Sequence, residues 1–346
     1  MAGYRHTLMK DRTFSTKAFI QDLFRIEQHP RRGLLPAEWV VIIYLTATLL
    51  VTLFAYTRLS YPDGMIRGRM SILAVLAALW VVYQLVPCRF TEMLRTLAQM
   101  ALLGWWYPDT YHLNGLLPNL DPLFARMEQT VFGFQPALLF ARHFPQTIVS
   151  EAMCMGYAFY FLFITEVFLF YFICRFREFE RGVFIILASF FSYYLIFDLL
   201  PVTGPMFYYK AVGVGAVAHG IFPEVGDYFL THTDFLPTPG NPSGFFYQMV
   251  ADVHTAGERP TAAFPSSHVG IATVCMMLIW RSRNRLLLWL SIPFYILLCL
   301  STVYIMAHYA IDAIAGLVTG IAFYFLFLGI SKKMTTFAPS QKHRRK

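Results

Sequence analysis

The sequence predicts an all-α integral membrane protein with about eight transmembrane helices and further interfacial helices on its outer face. Three observations predict this class: hydrophobic residues make up 57% of the 346-residue chain, charged residues make up 14%, and the apolar residues are gathered into long runs. In soluble domains about a quarter of the residues are charged. A helix needs about 20 predominantly apolar residues to cross a bilayer. The composition therefore excludes an ordinary soluble protein.

Eight runs are predicted to be spans, and one of them, 93–106, is weaker than the others. Loops on the cytoplasmic side of a membrane are enriched in Lys and Arg. The basic loops can all face the cytoplasm only if residues 93–106 also cross, which gives eight spans with both chain ends inside. The predicted spans are 39–56, 70–87, 93–106, 152–174, 183–200, 269–280, 286–305 and 309–330.

Basic residues set the orientation and account for the net charge of +8. They cluster between spans and at the two chain ends, where membrane topology explains them, so no nucleic-acid partner is expected. Arg58, Arg67 and Arg69 are exceptions, because this orientation places them outside. The basic residues that it places inside include Arg175, Arg177, Arg181, Arg281, Arg283, Arg285, Lys332 and Lys333.

This topology divides the chain into five parts. The region 107–151 mixes aromatic residues with Pro and Asn, and Trp and Tyr favour the lipid headgroup level, so interfacial helices and turns are predicted there. Such a region could also serve packing alone, without substrate contact. The parts are a cytoplasmic segment (1–37), N-terminal transmembrane helices (38–106), the outer interfacial region (107–151), a transmembrane core that includes the outer loop 201–267 (152–331), and a basic cytoplasmic tail (332–346).

The first predicted span follows a long polar and basic stretch, so it is expected to stay as an anchor rather than to be cleaved as a signal peptide. The lack of a targeting segment favours a bacterial inner membrane, with the outer loops on the periplasmic side. The five cysteines lie in or beside apolar runs without CxxC spacing, which argues against a disulfide framework or a zinc site.

Two histidines open predicted spans and are expected to meet. His268 and His308 lie about 40 residues apart, twice the length of a span, so two crossings return the chain to the same face. Asp312 follows His308 by four residues, which places both on one face of a helix and allows a hydrogen bond to the imidazole. Such a bond fixes the tautomer and leaves the other ring nitrogen for a substrate. This arrangement indicates a nucleophile or a base.

The segment PSSH predicts an anion site beside His268. Ser266 or Ser267 can cap the helix that follows Pro265, and unpaired backbone N–H groups at a helix N terminus attract a phosphoryl group. Taken singly, a histidine at a membrane interface and a serine before an apolar run are usually structural. Together, the two-span spacing and the nearby carboxylate favour phosphoryl chemistry.

These segments resemble the motifs of a known family. FPSSHVG and HYAIDAIAG are similar to the second and third motifs of the type 2 phosphatidic acid phosphatase superfamily, PSGH and SRxxxxxHxxxD, with Ser267 at the family's glycine. The resemblance implies a six-helix core and a role for each of three residues. By this resemblance His308 is expected to attack phosphorus and form a phosphohistidine, Asp312 to support it, and His268 to protonate the leaving oxygen. No cofactor and no metal are implied.

The sequence departs from this family at its cationic positions. Thr302 stands where the third motif has its phosphate-binding Arg, and Asp252 stands where the first motif, echoed in DVHTAGERP, has its Lys. Arg259, which fits that echo, and Lys210 are the remaining candidates for contact with phosphate, although either could be an ordinary loop cation. A phosphodiester carries one negative charge and needs fewer cations than a phosphomonoester.

With fewer basic residues at these motif positions, the sequence resembles the inositol phosphorylceramide and sphingomyelin synthases of the superfamily. The leading hypothesis is therefore transfer of a phospho-headgroup, with phosphoinositol as the best guess, from a glycerophospholipid to a ceramide-like or diacylglycerol-like acceptor. A lipid phosphate phosphatase, with water as acceptor, is the alternative within the superfamily. A transporter is a distant alternative, for which Glu166 and Asp198 in apolar runs are the candidates. The oligomeric state is left open.

Overall fold

Helices make up all the regular structure of residues 16–337, the part of the chain that the computed structural model describes, and no strand occurs in that range. Two predicted parts, the N-terminal segment 1–37 and the tail 332–346, lie partly outside the described residues. The helices are α1 (Thr16–Leu23), α2 (Pro36–Phe54), α3 (Pro62–Leu85), α4 (Arg89–Asn114), α5 (Asp121–Phe132), α6 (Pro136–His143), α7 (Thr147–Cys174), α8 (Phe176–Leu199), α9 (Pro205–Val212), α10 (Val214–Ala218), α11 (Tyr228–Thr231), α12 (Phe245–Gly257), α13 (Ser267–Ser282), α14 (Arg285–Tyr304) and α15 (Ala310–Phe337), with a 3-10 turn at Tyr56–Arg58.

Six helices of this part are long and apolar enough to cross a membrane: α2, α3, α7, α8, α14 and α15. The prediction of an all-helical integral membrane protein is confirmed to that extent. Two further predicted spans fall short for different reasons. Helix α13 has only 16 residues, and α4, with 26 residues, carries charged side chains such as Arg95 and Asp109. The number of eight spans stays a prediction.

Helix α13 lies in the centre of the bundle. It packs against α7, α8, α14 and α15, and most of its residues are buried, so its neighbours surround it. Gly316 and Gly320 of α15 face the backbone of α13, where a side chain would collide with main-chain oxygens. Small residues spaced in this way let membrane helices approach closely. The start of α13 is thereby held against the start of α15.

Two buried ion pairs join α4 to its neighbours near its two ends. Arg95 pairs with Glu38 at the start of α2, and Asp109 pairs with Arg69 in α3 at 2.6 Å, with every one of these side chains at most 4% exposed. Arg95 and Asp109 are about 21 Å apart along α4, at 1.5 Å per residue. Arg69 was one of the basic residues that the predicted orientation placed outside. The structure pairs it with Asp109 inside the bundle.

Short helices cover one end of the bundle. Helices α5 and α6 follow α4, and α9 to α12 belong to the loop after α8. Apolar side chains of these helices, such as Phe124 and Phe207, form a hydrophobic cluster with Val202 and Tyr309 of the joining segments. Because Tyr309 adjoins His308, this cluster covers the end of the bundle at which the predicted site residues lie.

Replacing one member of a buried ion pair should destabilise the bundle. Replacing both members with apolar residues should recover much of the lost stability. We expect Arg69→Met to lower the free energy of unfolding by about 3–5 kcal/mol, because Asp109 is left buried without a counter-charge. Arg69→Met combined with Asp109→Leu should recover most of it. Thermal unfolding in detergent measures both effects. Arg126→Met, at the exposed pair with Glu224, is the control. An additive loss in the double variant would contradict this account.

Candidate active site

Two histidines meet where the N terminus of α13 faces the end of α14. His268 is the second residue of α13, and His308 lies in the irregular segment between α14 and α15. Nδ1 of His268 is 3.3 Å from Nε2 of His308, which is a hydrogen-bonding distance. The structure thus brings together the two histidines that the span lengths predicted to meet.

A backbone carbonyl orients the ring of His308. Its Nδ1 donates to the carbonyl oxygen of Ala263 at 2.8 Å, and its backbone N–H donates to the carbonyl of Thr302 at 3.0 Å. Because a carbonyl only accepts, Nδ1 carries the proton and Nε2 presents its lone pair. His308 is 3% exposed, and burial lowers the pKa of its imidazole to about 4, although the hydrogen bond to Ala263 opposes that change. His308 is therefore neutral at ordinary pH.

Asp312 supports this segment, but not through the hydrogen bond predicted from helical spacing. Helix α15 begins at Ala310, so His308 precedes the helix and the four-residue helical geometry does not apply. Asp312 Oδ2 lies 3.9 Å from His308 Nδ1 and accepts the backbone N–H of Tyr309 at 2.8 Å. Its Oδ1 has no hydrogen-bond partner among the described residues. The Asp312 side chain therefore lies beside the His308 ring without a direct hydrogen bond to it.

Ser266 caps α13, as one of the two serines was predicted to do. Its Oγ accepts the backbone N–H of Val269 at 3.4 Å, and its own N–H donates to the main-chain carbonyl of Asp312 at 3.0 Å. Ser267, the first residue of α13, is buried. The positive end of the α13 dipole thus lies at the histidine pair, where it favours an anionic group.

Two tyrosines of α7 pack against His268. The ring of Tyr157 stacks on the imidazole with ring centroids 4.7 Å apart, and the Tyr160 ring lies at 4.4 Å. Both tyrosines are buried. From the sequence, this helix is predicted only as a span. The three-residue spacing, which puts both rings on one helical face, was the available signal.

A narrow cavity opens beside the histidine pair. Its wall includes Tyr107, Thr203, Glu258 and Thr261, and no Lys or Arg is among the residues described there. The hydroxyl of Tyr107 donates to Glu258 Oε1 at 2.6 Å. Glu258 is not among the site residues predicted from the sequence, although its place beside Arg259 in the echo of the first motif was a signal.

The two predicted cations do not line this cavity. Arg259 is exposed, and its charge acts on Tyr111 and His112 of α4. Lys210 is exposed in the last turn of α9, and its amine lies 4.0 Å from a carboxylate oxygen of Asp234. Contact of either cation with phosphate stays a prediction.

Asp121, the first residue of α5, ties two loops together at the site. Its carboxylate accepts the backbone N–H groups of Thr203 and Gly204, at 2.7 and 2.9 Å, and the hydroxyl of Tyr309 at 3.1 Å. Gly204 has a φ of 93°, and a β-carbon there would lie 2.7 Å from the carbonyl oxygen of Ala307. Glycine adopts this conformation without steric cost. Asp121 therefore fixes the loop after α8 against the segment that joins α14 to α15.

Glu128, about two turns further along α5, caps the N terminus of α15. Its carboxylate oxygens accept the backbone N–H groups of Ala310 at 2.9 Å and Ile311 at 3.0 Å. A carboxylate at this place satisfies unpaired N–H groups and faces the positive end of the helix dipole. The spacing of Asp121 and Glu128, which puts both on one face of a helix, was the sequence signal for this pair.

One family model matches the part of the chain that carries this site. It is described as the PAP2 superfamily, the family whose motifs the sequence resembles, and it matches residues 123–326, more than half of the chain. The matched range contains His268, His308 and Asp312. No curated protein and no solved structure matches the chain.

Loss of the Glu128 charge should slow turnover without unfolding the protein. We expect Glu128→Gln to lower kcat about tenfold or more with little change in KM, because an amide oxygen cannot replace both charge-assisted hydrogen bonds. Steady-state turnover of the lipid substrate in detergent measures this split between kcat and KM.

Glu224→Gln, at an exposed carboxylate, is the matched control for that variant and should leave kcat unchanged. If Glu128→Gln lowered only the yield of folded protein, with kcat per folded molecule intact, Glu128 would be a structural residue and not a positioning residue.

Proposed function

Because the chain belongs to the PAP2 superfamily, we propose that it is a lipid phosphotransferase that acts through a phosphohistidine at His308. The proposed reaction moves a phospho-headgroup, best represented by phosphoinositol, from a glycerophospholipid to a ceramide-like acceptor. The observation that carries this proposal is the pair of facing nitrogens of His268 and His308, 3.3 Å apart. Membership of the superfamily supports the coarser statement that the chain acts on phosphate esters of lipids in a membrane.

In the first step His308 is the nucleophile. Its Nε2 lone pair attacks phosphorus, a P–N bond forms, and the bond from phosphorus to the diacylglycerol oxygen breaks. Nδ1 keeps its proton, which is shared with the Ala263 carbonyl, so the phosphorylated ring is positive and Asp312 stabilises it from 3.9 Å. Burial lowers the pKa of the His268 imidazole, and the anionic donor beside it offsets this, so His268 is protonated with the donor bound and gives that proton to the departing oxygen.

In the second step the acceptor hydroxyl replaces the departed diacylglycerol. It gives its proton to His268 while its oxygen attacks phosphorus, and the P–N bond to His308 breaks. Both histidines return to their starting states, so the cycle needs no other proton donor. Water in place of the lipid hydroxyl would give a phosphatase, and the rings of Tyr157 and Tyr160 packed on His268 support the exclusion of water.

The charge of the site supports a phosphodiester donor. No Lys or Arg occurs in the cavity wall as the structure describes it. Thr302, at the position of the family's Arg, donates its hydroxyl to the Cys299 carbonyl at 2.9 Å within α14. A donor with one negative charge therefore matches this site better than a phosphomonoester.

We infer that the site faces the outer side of the membrane, which is the periplasm for a bacterial inner membrane. At the other end of α13, Arg281 lies 3.5 Å from Glu178 and Arg175 donates to the Ser282 carbonyl. Basic residues favour the cytoplasmic side. The histidine pair, at the opposite end of the same helix, would then face outwards.

The acidic residues considered for a transport function give it no support. Asp198 accepts the hydroxyl of Tyr44 at 2.9 Å, a contact that joins α8 to α2 inside the bundle. Glu166 is half-buried on α7. Neither is part of the cavity wall at the histidine pair.

A transfer assay tests the proposal directly. Purified protein in detergent, given phosphatidylinositol and a fluorescent ceramide, should form a fluorescent phospholipid product that thin-layer chromatography separates. His308→Ala should lower the rate about a thousandfold or more, because the nucleophile is lost. His219→Ala, at an exposed histidine of the outer loop, is the control and should keep the wild-type rate.

Phosphatidic acid in a second tube separates the two acceptors. Release of phosphate from it, without any transfer to ceramide, would contradict the phosphotransferase and favour the phosphatase. Transfer that survives His308→Ala would contradict the covalent route itself.

A further inference from the structure

Glu258 places a carboxylate in the cavity wall beside the histidine pair. The same wall contains His268, His308, Tyr107 and Tyr157, and the residues described there include neither Lys nor Arg. Sites for phosphate esters usually offer cations rather than a carboxylate. The position of Glu258 therefore needs an explanation that phosphate binding alone does not give.

One oxygen of Glu258 is anchored and the other is open. Tyr107 donates to Oε1 at 2.6 Å, whereas no hydrogen bond to Oε2 and no ion pair of the carboxylate occur within the described part of the chain. Burial raises the pKa of this carboxyl to about 7, and the Tyr107 hydrogen bond opposes that rise. The neighbouring Arg259 is exposed and lies outside the cavity wall. Oε2 can therefore accept a hydrogen bond from a ligand.

A carboxylate in this position distinguishes two classes of phosphate ester. A phosphomonoester carries about 1.5–2 negative charges near neutral pH, whereas a phosphodiester carries one. With no cation in the described wall to compensate, repulsion by Glu258 is greater for the monoester. A phosphodiester also carries a second substituent, its headgroup, which can donate a hydrogen bond to the open oxygen.

We propose that Glu258 selects the lipid donor: it repels phosphomonoesters and accepts a hydrogen bond from a phosphodiester headgroup that bears hydroxyl or ammonium hydrogens. This inference rests on the proposed phosphoryl transfer at His308. Two lipids distinguish the hydroxyl from the ammonium donor. Phosphatidylinositol offers hydroxyl groups, and phosphatidylethanolamine offers an ammonium group.

Glu258→Gln tests the selection, because the amide keeps an oxygen for Tyr107 and removes the charge. With phosphatidic acid, kcat/KM should rise about tenfold, and with the preferred phosphodiester it should fall about tenfold, so the ratio shifts about a hundredfold. The hydrogen-bonding group is identified by comparing phosphatidylinositol with phosphatidylethanolamine: it belongs to the lipid whose kcat/KM falls more in Glu258→Gln. Asp252→Asn, at an exposed carboxylate of α12, the helix that ends just before Glu258, is the matched control and should change neither value.

Tyr107→Phe is the second variant, since it removes the anchor and keeps the charge. It should lower kcat/KM with the phosphodiester while phosphatidic acid stays a poor substrate. Equal fold-changes with both lipids in Glu258→Gln would mean that Glu258 only supports the fold, which overturns the selection. A wild-type protein that hydrolyses phosphatidic acid faster than it uses either phosphodiester also overturns it, yet leaves the phosphohistidine intact. If the wild-type protein acts on none of these lipids, the proposed function is contradicted, and this inference fails with it.

Discussion

The hydrogen bond from His308 Nδ1 to the Ala263 carbonyl is the contact on which the rest of the site depends. It determines which ring nitrogen carries the proton and hence which one presents its lone pair to the histidine opposite. Within an apolar bundle a misplaced polar group is costly, because little water is present to replace a lost partner. The bundle meets this constraint by bringing three chain segments to one place: the loop after α8, the approach to α13, and the segment between α14 and α15.

Buried carboxylates hold these segments together. Asp121 and Glu128 each accept two backbone N–H groups, and Asp312 accepts one, so these hydrogen bonds offset part of the cost of burying the three carboxyl groups. Two of the three come from α5, which lies outside the long apolar helices. The short helices that close this end of the bundle therefore also fix the segment that carries His308, and they are part of the site rather than a passive cover.

Features set by spacing along the chain could be predicted from the sequence, and features set by tertiary contact could not. Apolar runs located the six spanning helices, and span length alone predicted that His268 and His308 meet. The partner of Asp312 depended on the residue at which α15 begins, which an apolar pattern does not define to within a turn. Glu128 caps a helix 182 residues further along the chain, and no local pattern connects the two. In the same way, no local pattern connects Arg69 with Asp109, which lies 40 residues further along the chain.

Trapping the covalent intermediate tests the central claim most directly. The protein would be mixed with a donor labelled in its phospho-headgroup, quenched in base, where phosphohistidine survives, and digested for mapping by mass spectrometry. The account predicts label on His308 in the wild type and none in His308→Ala. Label on His268 or on another side chain, or turnover of the donor with no labelled histidine at any time, would contradict it.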